Sequence, residues 1–259
     1  MTLIIGIRCQ DGIVMAADSM VTEGAPIGGA AITKHEGEKL VIQGSFLWGA
    51  SGQQGIKQLV EEELEKKAKQ IYGEHKPPAQ LRGEILTTVH PILVRQYKIV
   101  QEIVSAAFGQ MPPQLTCFTG FLFATYLKSG FHLFNIEADG KGEVVEAVHC
   151  AIGSGQKTRQ ALLRRLRNQD WTLRVAEVVA YRTMNDAIHV EPSGIGEPIR
   201  LARLYLKDKK PAIERIENDE LSAIRDAARA WTETEAEVLK DLQPKLPVGG
   251  SSVLSAQTA

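Results

Sequence analysis

The shortages in this sequence narrow the field before anything present does. Of 259 residues only three are cysteine, Cys9, Cys117 and Cys150. Three is an odd number, no two have metal-type spacing, and each sits beside apolar residues, so they read as small core residues and not as a disulfide framework or a zinc site. The six histidines are scattered, with no pair at the spacing that puts two ligands on one helix face, so no metal is expected. An excess of one charge is missing too. Thirty Lys and Arg against 31 Asp and Glu give a formal net charge of −1, which argues against nucleic acid or an anionic membrane as a partner. No apolar run approaches the roughly 20 residues of a membrane helix. The opening stretch, Met1 to Cys9, has no basic leader and its apolar run stops at Arg8, so it does not read as a secretory signal. The expectation is a cytoplasmic protein whose first residues are its native start.

Nucleotide signatures are equally thin. Gly194-Ile195-Gly196 is too little for a dinucleotide fingerprint, and Gly153-Ser154-Gly155 lacks the lysine and second glycine of a phosphate loop. What the chain has is ordinary core-forming material, 44% hydrophobic and 24% charged residues.

Its order carries the information. Residues 3–8 alternate with β-branched side chains, Asp11-Gly12 is a hairpin signal, and a second strand through Ile13 to Ala17 ends at Asp18. Gly24 to Gly29 reads as a loop, and strands follow at 39–42 and 46–50. Apolar residues at helical spacing predict helices over about 53–72 and 79–107, the second kinked or split by Pro91. Strands resume at 115–126, 131–136 and 143–152. Helices are predicted at about 156–167 and 172–184, strands at 198–205 and 212–216, and a last helix over 218–242. Beyond Pro244 the composition turns to Pro, Gly, Ser and Ala and predicts a disordered tail, leaving 1–243 as a single domain. Strands, two helices, strands, two helices, strands is not the alternation of a doubly wound sheet. It predicts an α+β fold, two mostly antiparallel sheets packed face to face between helix layers.

The chemistry is concentrated at the front. A hydroxyl is a weak nucleophile at neutral pH and needs a base beside it. An N-terminal Thr can use its own α-amino group, whose pKa of about 7.7–8.0 leaves a useful neutral fraction. Here Thr2 directly follows the initiator Met1, and a residue that small permits removal of the methionine. Thr2 begins a strand, the returning strand delivers Asp18 to its neighbourhood, and Lys39 or Lys34 can supply a cation for that carboxylate.

Thr2-Leu-Ile-Ile-Gly-Ile, then Asp11-Gly-Ile-Val-Met-Ala-Ala-Asp18-Ser, Gly37-Glu-Lys39-Leu and Trp48-Gly49-Ala-Ser-Gly52 together resemble the front of a proteasome β subunit and of its bacterial relative HslV. Ala151-Ile-Gly-Ser154-Gly155 ahead of a helix is similar to a later segment of that family. The resemblance implies a four-layer αββα sandwich and an N-terminal-nucleophile amide hydrolase. Thr2 would be the nucleophile, Asp18 the carboxylate paired with Lys39, Gly49 the oxyanion donor, and Ser154 the partner of the terminal amine. Asp186 and Ser193 would close the set, with Glu191 as an alternative carboxylate and an insertion around Ala187 to Val190 between them. Leu47 falls at the base of the family's S1 substrate pocket, with Val21 and Ser51 beside it, and hints at uncharged P1 residues.

The resemblance further implies a homo-oligomeric ring acting on peptide or unfolded protein, with no metal or organic cofactor and no ATPase visible in the chain. A catalytically inactive ring subunit and a non-proteolytic amidase of the same fold stand as alternatives. The longer stretch between Asp18 and Lys39 and the added part from about Asp208 point to a divergent bacterial branch, similar to the Anbu group or the β-proteobacterial homologues.

Overall fold

The structure, a computed structural model, describes residues 2–23, 33–108, 119–137, 139–153, 171–190 and 195–242. The chain opens with strands β1 (Leu3–Arg8) and β2 (Gly12–Asp18), joined by the turn at Asp11. β3 (Met20–Glu23), β4 (Thr33–Glu36), β5 (Leu40–Gln43) and β6 (Phe46–Ser51) follow. Helices α1 (Gln54–Ile71) and α2 (Pro78–Phe108) lead into β7 (Gly120–Leu127), β8 (Gly130–Ile136), β9 (Gly142–Val144) and β10 (His149–Gly153). Helix α3 (Leu173–Val190), strands β11 (Ile199–Lys207) and β12 (Lys210–Ile216) and helix α4 (Asn218–Leu242) complete it. One five-stranded sheet runs β10-β1-β2-β11-β12, the other β5-β6-β7-β8-β9, and every pairing is antiparallel.

The layering follows from the side-chain alternation of strands. Leu3, Ile5 and Ile7 of β1 pack with Val14 and Ala16 of β2 against α3 and α4. Ile4, Ile13, Met15 and Ala17 point the other way and meet Leu40, Leu47, Leu122 and Leu133 of the second sheet. Phe46, Trp48, Phe121 and Phe123 leave that sheet on its far side to pack on α1 and α2. Three apolar layers between four structural layers make the αββα sandwich. Both faces of the central strands are buried, which is why residues 12–18 show no exposed position.

Several sequence expectations meet corrections. The strand expected over 143–152 is two strands in different sheets. β9 edges the second sheet beside β8, and β10 edges the first beside β1. Residues 145–148 make the crossing, with Val145 N–H donating to Leu133 O and Arg8 N–H to Val148 O. The hairpin of β3 and β4 was not expected, because Met-Val-Thr-Glu and Thr-Lys-His-Glu have no apolar alternation to announce it. α2 continues through Pro91 as one helix. α3 runs on to Val190, so the residues read as an insertion, 187–190, are its last turn. The expected helix over 156–167, the Gly24–Gly29 loop, Cys117 and the tail from 244 lie outside the described residues. Among the described residues no helix is long and apolar enough to cross a membrane.

Candidate active site

The turn between β1 and β2 fixes the far end of the front hairpin. Cys9 N–H donates to Gly12 O at 2.9 Å, and the Asp11 carboxylate accepts from Leu173 N–H at 2.8 Å, capping α3 across 162 positions of sequence. With that end pinned, the register Ile4↔Ala17 brings Asp18 opposite the start of β1.

There Asp18 is fully buried and answered on both oxygens. Oδ1 accepts from Leu3 N–H at 2.9 Å, and Oδ2 accepts from Lys39 Nζ at 2.8 Å and from Gly196 N–H at 3.4 Å. Lys39 is 4% exposed and also donates to Met20 O at 2.7 Å. Two of its three N–H donors thus have partners among the described residues. Burial pushes the Lys39 ammonium below the ordinary lysine range, and the Asp18 charge only partly offsets it. Lys34, the rival, is in β4, whose residue opposite is Thr22.

Thr2 is buried and lies one peptide before the N–H that Asp18 holds. By strand alternation its side chain falls on the face of Ile4, toward the second sheet. Its carbonyl lies against Gly153, where φ is +104° and an added Cβ would overlap the Thr2 oxygen, so only glycine fits. The same Cβ would come within 2.9 Å of Ser51 Oγ. Ser51, at the end of β6, therefore stands beside the front of β1. Among the residues placed at the substrate pocket, Ser51 and Val21 are half-buried, and Val21 packs where Gly37 leaves room for it.

Two further residues of the expected site lie on β6. Gly49 pairs with Leu40 on one side and Leu122 on the other, in the middle of the second sheet. The need for glycine at 49 comes from packing, since a Cβ would sit 2.8 Å from Ile4 Cδ1 and 3.0 Å from Lys39 O. Leu47 is fully buried in the intersheet core.

Ser51 ends this strand, with two residues between it and the start of α1. Gln53 N–H is taken by Thr119 Oγ1 at 3.2 Å, which fixes the turn.

Asp186 is not brought to this group by any interaction among the described residues. Its partner is Arg182 on the same helix face, at 3.9 Å, and Arg182 turns to Glu235 and Trp231 of α4. Ser154, Ser193 and Glu191 lie outside the described residues.

The proteasome subunit family model matches residues 2–199. The chain belongs to the proteasome subunit family. No curated protein matches it in sequence. Among solved structures it is similar to Anbu (ancestral β-subunit) from Yersinia bercovieri, with a TM-score of 0.69 and 18% identity over 95% of this chain and 100% of that one. It is also similar to the Anbu complex of Pseudomonas aeruginosa, solved as a helical assembly, with a TM-score of 0.70 and 17% identity over 97% and 99%. The Gly-1 mutant of Anbu from Hyphomicrobium sp. strain MC1 aligns at a TM-score of 0.65 and 18% identity over 93% and 97%. The proteasome-type fold therefore spans nearly the whole chain, and its structural likeness runs to the divergent bacterial members.

Proposed function

We propose that this proteasome-family subunit is a threonine-type amide hydrolase that uses Thr2 after Met1 has been removed. The observation that carries the reading is the buried Lys39–Asp18 pair bonded to the peptide that follows Thr2. A cation held at that depth by one carboxylate lowers the proton affinity of a neighbouring hydroxyl. The freed α-amino group takes the Thr2 hydroxyl proton as Oγ attacks the scissile carbonyl. The same proton passes to the departing amine, leaving an ester on Thr2, and water activated by the amine releases the acid and restores the hydroxyl. The developing oxyanion is assigned to the backbone N–H of Gly49, where close packing on Ile4 and on Lys39 O leaves no room for a side chain. Ser154, Asp186 and Ser193 are kept as supporting positions for the terminal amine.

The substrate class is peptide or unfolded protein. Oligomeric assembly of copies of this chain follows the Anbu complexes it resembles, one of which is a helical assembly. The test combines the intact mass of protein purified from its native host with turnover of fluorogenic peptides bearing Leu, Arg or Glu at P1. Loss of Met1 is expected, and Thr2→Ala is expected to cut turnover by roughly 10³-fold or more. Retained Met1 with no turnover would leave a structural subunit of the family in place of an enzyme.

A further inference from the structure

Lys57 stands in the first turn of α1, where a cation opposes the helix dipole. Its side chain is only 6% exposed, and burial pushes its ammonium below the ordinary lysine range. Its one nearby carboxylate among the described residues, Glu61, lies 3.9 Å away and is 42% exposed. A lysine at that position carries two costs and has a weak counter-ion, so the contact it does make is the informative one. Nζ donates to Glu38 O at 2.7 Å. Glu38 is the residue immediately before Lys39.

Residues 37–39 link β4, which ends at Glu36, to β5 and belong to no strand. The segment 36–39 is held by Gly37 N–H on Ser19 O at 2.8 Å, by the ion pairs Glu36–Arg200 and Glu38–Arg215, and by Lys57. The two ion pairs are surface-exposed and weak holders. Among the described residues, Lys57 holds the segment from the α1 side, and from within the protein.

We infer that Lys57 is a positioning residue for Lys39, fixing the Glu38 carbonyl so that the next side chain presents its ammonium to Asp18. The inference rests on reading Lys39 as the cation that activates Thr2. Lys57 touches no reacting atom in this account. It acts through one backbone peptide.

The full-length protein with Met1 removed is compared with Lys57→Met, Lys57→Gln and Lys57→Arg. Methionine keeps the stem and loses the donor, glutamine keeps polarity without the reach, and arginine keeps both reach and donor. Two readouts run in parallel. One is the rate of trace acetylation of Lys39 Nζ against pH, followed by mass spectrometry, which reports the exposure and proton affinity of Lys39 whether or not the protein turns over peptide. The other is kcat and KM on a fluorogenic peptide.

Lys57→Met and Lys57→Gln are expected to make Lys39 acetylate several-fold faster and to lower kcat by about 10- to 100-fold with KM little changed. Lys57→Arg restores most of both. If Lys57→Met does not fold, Lys57→Gln and Lys57→Arg carry the comparison. Wild-type acetylation of Lys39 in the glutamine variant, or a failure of arginine to restore it, overturns the inference. A wild type that never cleaves peptide overturns the threonine-hydrolase reading instead, and the acetylation rates still decide the role of Lys57.

Discussion

Besides Lys57, charge is buried in two places among the described residues, and they are built to opposite specifications. At the front, Lys39 meets one carboxylate, Asp18, with 4% and 0% of the two side chains exposed. At the rear, Arg203 reaches Glu177, Glu220 and Glu214 at 3.2, 2.7 and 3.2 Å, and Arg174 adds a second guanidinium to Glu177 and Glu220. Burial works against the Arg203 charge, but its three carboxylate partners outweigh it and raise its proton affinity. At Lys39 the balance goes the other way, and burial wins. The rear cluster sews α3, β11, β12 and α4 together, each charge answered several times over. The front pair is minimal, leaving a cation whose field is only partly spent. The rear cluster gives Arg203 three carboxylates, whereas Lys39 has one among the described residues.

The largest effect should come from cutting the front pair. Lys39→Met leaves the Asp18 carboxylate buried without a cation, a loss of about 3–5 kcal/mol. Turnover should also fall, by roughly 10²-fold or more. The double variant Asp18→Asn with Lys39→Met removes both charges and should regain most of the stability while staying inactive. Urea unfolding and peptide turnover on all four members of the cycle measure this. A double variant that recovers activity along with stability would make the front pair structural, and the contrast with Arg203 would disappear.

Glu177→Gln is the matching cut at the rear. Glu177 is fully buried and shared by Arg174 and Arg203, but Arg203 keeps Glu214 and Glu220. The expected cost is about 1–3 kcal/mol, with kcat and KM per folded subunit unchanged. A kcat loss comparable to that of Lys39→Met would show that the two regions are coupled.

How far the sequence spoke for itself differs by region in the same way. The strand and helix order was legible because apolar periodicity reports burial, and α4 runs from Asn218 to Leu242 as read. The proximity of Asp18 and Lys39 was legible because one hairpin turn and one strand start set it. Relations between distant segments were not. Asp11 caps α3 from 162 residues away, and the 145–148 crossing carries the chain from one sheet to the other inside what reads as one apolar run. Gly49 was picked out by the motif around it, while its close packing against Ile4 and Lys39 O exists only in three dimensions. Lys57 and Glu177 look like polar members of amphipathic helices, and nothing local marks them as buried.

The smallest and most diagnostic effect lies in the pH dependence of stability, where the two charge centres should report on opposite limbs. Glu214 and Glu220 are held below the usual carboxylate range. Bonds from Tyr205 and Arg203 act at Glu214, and at Glu220 bonds from Arg203 and Arg174 overcome burial. Their contribution is fully present above the unfolded value of 4.5 and is lost as pH falls through the folded values. Lys39 has the reverse arrangement. Its folded value lies below 10.5, so between the two the unfolded chain binds more protons and this group's contribution to stability grows as pH rises. Cys9 and Cys150, pushed up to about 12 from 9.0 chiefly by burial, oppose that rise above pH 9, so the net alkaline slope is a poor reporter. Differences between variants isolate each centre. The stability gap between wild type and Lys39→Met should widen toward pH 10.5. The gap between wild type and Glu220→Gln should close as pH falls below 4.5. Urea midpoints followed by tryptophan fluorescence from pH 3 to 10.5 measure both. Gaps that stay constant on the alkaline limb would mean that Lys39 is not held as a strained cation, which is the property that sets the front of this chain apart from the rear.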